Sequence, residues 1–80
     1  MGVNVKADRR EKFVELAEKR VNRALTQISL IGNLSNRSNY SYAQEDVAEI
    51  YSALRKALDE MKGRFDAQAS EKEPKFQLKK

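Results

Sequence analysis

The chain has 80 residues, with 16 Lys or Arg against 12 Asp or Glu, a net charge of +4 and no histidine. That length allows one domain, and no run approaches the ~20 apolar residues that a membrane span requires. There is no cysteine, so neither a disulfide framework nor a thiolate nucleophile is expected, and a structural zinc site lacks its usual ligands.

The first residues lack the apolar run of a signal peptide. The myristoylation pattern begun by Met1-Gly2 fails at Lys6, where Ser or Thr is required. A mobile N-terminus over residues 1–7 and a soluble, cytoplasmic protein are the expectation.

A helix is predicted over about residues 8–31. Asp8 suits the N-cap, and Glu11 three residues on completes a capping-box spacing. Val14, Ala17, Val21, Ala24, Ile28 and Ile31 recur at steps of three and four, the rhythm of helices packed at a shallow angle. Phe13 and Leu25 widen that stripe. Gly32 stands where a left-handed C-cap is expected, with Leu34 able to fold back over the last turn. At about 100° per residue the charges also sort themselves. Arg9, Lys12, Lys19, Arg20 and Arg23 lie along one flank of the apolar arc, together with Leu16 and Leu30. Asp8, Glu11, Glu15 and Glu18 lie along the other.

Residues 32–42 form the predicted loop. From Asn33 it contains three consecutive Asn-x-Ser triplets, ending at Ser41, followed by Tyr42. Asn and Ser bond nearby backbone and favour turns over helix interiors. The loop is long for a helix–helix connection. The triplets match glycosylation sequons formally, a reading that the missing signal peptide disfavours. Two accounts compete. In the plainer one, Asn and Ser cap the helix ends while Leu34, Tyr40 and Tyr42 plug the end of a bundle. In the functional one, Asn33, Ser35, Asn36, Arg37, Asn39 and Tyr40 form a partner-binding loop, because loops that exceed their connecting need are often functional.

A second helix is predicted over about residues 43–66. Val47, Ile50, Leu54, Ala57 and Met61 repeat the three-four spacing, and Tyr51, Leu58 and Phe65 broaden it. Ser41 and Gln44 are candidates for its cap. Glu45, Asp46 and Glu49 sit in the first turns, where carboxylates suit the helix dipole. Gly63 weakens the helix interior and marks where its end is expected to fray. Residues 68–80 are highly charged, contain Pro74, and read as a mobile tail with Phe76 and Leu78 as its large apolar residues.

Two helices joined by one loop give each helix a single neighbour, and both apolar arcs are wider than one neighbour covers. The expected fold is therefore all-α: a two-helix antiparallel hairpin over residues 8–67 that dimerises into a four-helix bundle. The charge distribution agrees. Residues 1–31 carry seven basic and four acidic groups, whereas residues 43–68 carry four basic and six acidic.

Catalysis is not expected. Acid–base work near neutral pH would fall to a carboxylate, lysine or tyrosine with a large pKa shift, which a narrow bundle is poorly shaped to supply. No cofactor is expected, because there is no glycine-rich phosphate loop. Glu45 and Glu49 share a face at the right spacing to hold a hard cation, but lack a facing ligand pair, so no metal site is expected. Lys12, Lys19, Arg20 and Arg23 are candidate phosphate contacts, and a pI of about 9.5 gives a modest electrostatic footprint. The plainer account of that flank is a solvated face or one paired with acids of the second helix.

The run Gly32-Asn-Leu-Ser-Asn-Arg-Ser-Asn-Tyr40 and its surroundings, from Arg20 to near Phe65, resemble a set of small bacterial proteins associated with plasmids, phages and other mobile elements. Ala43 departs from that pattern, which has a Thr cap there. The resemblance implies no particular activity. It favours a regulatory or nucleic-acid context by association alone. Two functions follow as expectations: a self-associating module that binds a protein partner through its loop, or a nucleic-acid-associated accessory protein that uses the basic flank. A membrane partner is not expected.

Overall fold

The computed structural model describes residues 5–71, with side chains described through residue 69. Its elements are helix α1 (Val5–Gly32), a single 3-10 turn (Asn33–Ser35) and helix α2 (Gln44–Glu71). The described residues are thus helical apart from the loop, and they contain no strand. The chain divides into two units, one ending at Ser41 and carrying α1 with the turn, the other starting at Tyr42 and carrying α2.

Helix α1 starts three residues earlier than predicted. Val5, Lys6 and Ala7 contain no breaker, and Lys and Ala are good helix formers, so the helix extends past the local cap signal. Asp8 is consequently not the N-cap; it lies in the first turn, where its carboxylate still faces the positive end of the dipole. At the other end Gly32 is right-handed, at φ −60° and ψ −29°, and not the left-handed cap expected of it. The helix tightens instead into the 3-10 turn, one of the ways in which the last carbonyls find donors. The chain leaves that turn at Asn36, which is extended.

Helix α2 runs through Gly63 without a break and ends at Glu71, past the predicted end at 66. Gly63 has open space where a Cβ would stand. Residues 5–7 and 68–71, expected to be mobile, are therefore helical. The rest of the predicted mobile ends, including Phe76 and Leu78, lies outside the described residues. The cap also differs from expectation. Ala43 occupies the N-cap position in place of the Ser41–Gln44 arrangement, and its carbonyl accepts the Asp46 and Val47 N–H groups at 3.0 and 3.4 Å. Asp46 Oδ2 accepts the Ala43 N–H at 2.8 Å, which is the returning half of a capping box.

Along α2 two exposed ion pairs follow the helix, Lys62 with Asp66 at 3.1 Å and Arg55 with Asp59 at 4.0 Å. Such pairs contribute a few tenths of a kcal/mol each. The apolar stripes are far less satisfied. None of the described residues is buried, and large apolar side chains on both helices stand 41% (Ile50) to 64% (Tyr51) exposed. No helix among the described residues is long and apolar enough to cross a membrane.

Candidate interaction site

The six residues singled out in the loop, Asn33, Ser35, Asn36, Arg37, Asn39 and Tyr40, form one exposed segment at the end of the first unit. Asn33 and Ser35 lie in the 3-10 turn. The others lie in a tight turn organised by Asn36. The Asn36 side-chain Oδ1 accepts the Ser38 N–H at 3.0 Å. Its carbonyl accepts the N–H groups of Asn39 and Tyr40, at 3.1 and 3.0 Å. This is an Asx-type turn, in which a short polar side chain substitutes for backbone. It gives Asn36 a positioning role, since the oxygen it would offer a partner is engaged in the turn. Arg37 and Ser38 form the tip, and Tyr40 is 49% exposed. Leu34 is exposed as well. Tyr42 is half-buried and belongs to the second unit.

Lys12, Lys19, Arg20 and Arg23 are exposed along α1. Asp8 and Glu15 stand four residues before Lys12 and Lys19, the favourable order for an ion pair. Yet neither of these pairs closes to within 4 Å, whereas Arg55–Asp59 and Lys62–Asp66 on α2 do. The half-buried residues of α1 are Val14, Leu16, Ala17 and Ile31. Leu16 therefore gives the basic flank an apolar base.

Glu45 and Glu49 lie in the first two turns of α2, and among the described residues no three carboxylates gather at metal-binding distance. A shallow, open depression on α1 is lined by Ala17, Glu18, Val21 and Asn22. It follows the predicted stripe.

Three features escaped the sequence reading. The Arg10 guanidinium lies 5.8 Å from the centre of the Phe13 ring, at the distance of a cation–π contact. Its signal was the three-residue spacing of a cation and an aromatic on one helix. Asp46 closes the α2 cap, a function that a Glu or Gln at that position would have announced more clearly. The Arg55 guanidinium donates to the Tyr51 hydroxyl at 3.3 Å, again at helical spacing.

No protein-family model matches the chain, and neither a curated protein nor a solved structure is significantly similar to it.

Proposed function

We propose that this chain is a small, non-enzymatic helical interaction module that works as a homodimer in the cytoplasm. The helices fold back antiparallel, and two hairpins form a four-helix bundle. The loop from Asn33 to Tyr40 is its specificity element toward a protein partner. The observation that carries this reading is the apolar stripe that each helical unit carries, exposed on the unit taken by itself. A lone helix of this kind draws most of its stability from packing an apolar face, and a stripe with three-four spacing is shaped for helical neighbours. The turn supports the second half of the reading, because Asn36 fixes a compact tip that presents Arg37 and Tyr40.

Light scattering after gel filtration tests both halves. A dimer is expected at micromolar concentration, and Arg37→Ala and Tyr40→Ala are expected to leave its mass and helicity unchanged. If either substitution dissociates the dimer, the loop is part of the bundle and not a displayed surface.

One observation favours a second reading, in which the module accompanies nucleic acid. The basic flank of α1 is exposed and forms no ion pair among the described residues. Phosphate binding through Lys12, Lys19, Arg20 and Arg23 must weaken steeply between ~50 and ~200 mM salt, as condensed counterions are displaced. Fluorescence anisotropy with a labelled RNA hairpin or DNA duplex measures this. In this reading the double substitution Lys19→Glu with Arg23→Glu abolishes binding. A salt-insensitive signal, or one that survives the substitution, rules the reading out.

A further inference from the structure

The second apolar row of α2 has a symmetry of its own. Tyr51, Leu58 and Phe65 are spaced seven and seven, which is two helical turns each way, so they form one continuous row beside the main stripe. All three are exposed, at 64%, 52% and 55%. The row has an aromatic residue at each end and Leu58 in the middle. Helix α2 spans Gln44–Glu71, so Leu58 also lies at its midpoint.

We infer that this row is the contact between the two copies of the chain. The two α2 helices run antiparallel across a two-fold axis at Leu58. The inference rests on the homodimer proposed above and names its face. A two-fold axis requires a patch that is complementary to itself. At Leu58 it places leucine on leucine and Tyr51 on the second copy's Phe65, twice over, and aromatic pairs favour each other beyond their area alone. Because the axis falls at the middle of the helix, the two copies overlap over nearly their full ~42 Å. Contact of that length buries on the order of 1,000 Å² in total, about the least that a specific interface needs.

The charges fit the same face. In an isologous contact each flank meets its own copy, so an uncompensated like-charged flank would oppose it. Arg55 and Lys62 border the row, and each is paired with a carboxylate of its own helix, Asp59 and Asp66. Glu45, Glu49 and Glu60 fall on the far side of α2 by helical position. Helix α1 has rows of the same spacing in its main stripe, such as Val14, Val21 and Ile28, but Arg20 and Arg23 interrupt the rows beside that stripe.

The absence of cysteine makes the test clean. Leu58→Cys, purified reduced and then oxidised with copper phenanthroline, is expected to give mostly disulfide-linked dimer, because residues on the axis come within disulfide reach. Glu49→Cys is the control and is expected to stay unlinked. A mixture of Tyr51→Cys and Phe65→Cys chains is expected to give the mixed product in excess over either self-linked product. That arm leaves Leu58 intact, so it decides the matter if Leu58→Cys fails to fold by circular dichroism. Self-linked Tyr51→Cys in excess, or Leu58→Cys linking no more than the control, overturns the inference. Light scattering on the unmodified chain separates the two failures. A doubled mass without these links removes the face and leaves the homodimer, whereas a single mass removes both.

Discussion

Ala43 and Asp46 show how much a single position can decide at a helix start. Ala43 stands at the N-cap of α2 with no side-chain oxygen, so the first N–H groups of the helix lack the acceptor that Ser, Thr, Asp or Asn supplies. Asp46 compensates from the other direction by accepting the Ala43 N–H. Ala43→Ser is expected to add about 1 kcal/mol, and Asp46→Ala to remove a similar amount. Urea unfolding followed by helical circular dichroism, at fixed protein concentration, checks both. No change in the midpoint for either variant would mean that this cap is not formed in solution. Cap positions were the least legible part of the sequence. Asp8 is a good N-cap by residue type, but Val5, Lys6 and Ala7 also accept helix, and propensity carried α1 past it. Gly32 was a natural candidate for a left-handed turn, yet a 3-10 turn served the same carbonyls with ordinary right-handed angles. The role of Asn36 could not be read in advance, because three similar triplets gave no reason to single out one asparagine as the turn's pivot.

At the scale of the element, the stripes were legible and the ends were not. Steps of three and four survive any shift of a terminus, so Val14 to Ile31 and Val47 to Met61 define the same faces whether the helices begin at 5 or 8, or end at 66 or 71. Gly63 tests the balance directly. It lies inside α2, and a methyl group there meets nothing within 4 Å. Gly63→Ala therefore gains helix propensity without a clash and is expected to stabilise the chain by about 1 kcal/mol, read as a raised urea midpoint. A lowered midpoint would show that the site is occupied by a neighbour in the assembly, with a close helix approach at Gly63. The loop has an element-scale logic as well. Its three backbone and side-chain bonds to Asn36 make it a defined turn, a property that the proposed recognition role requires.

For the whole molecule, composition and periodicity led to an all-helical chain with two long helices and one connecting segment, and the described residues have that form. What they could not supply is the partner of each apolar face, because periodicity identifies a buried side without naming what buries it. The net charge of +4 is similarly ambiguous until it is divided between helices, since α1 and the loop are basic while residues 43–68 are acidic. Neither helix buries a residue within its own unit, so in the proposed dimer the packing of apolar faces supplies the stability. The most direct test is the mass in solution of the unmodified chain, by light scattering after gel filtration at micromolar concentration. The account predicts a folded, helical species of twice the 9.2 kDa chain mass. A stably helical species of 9.2 kDa would contradict it.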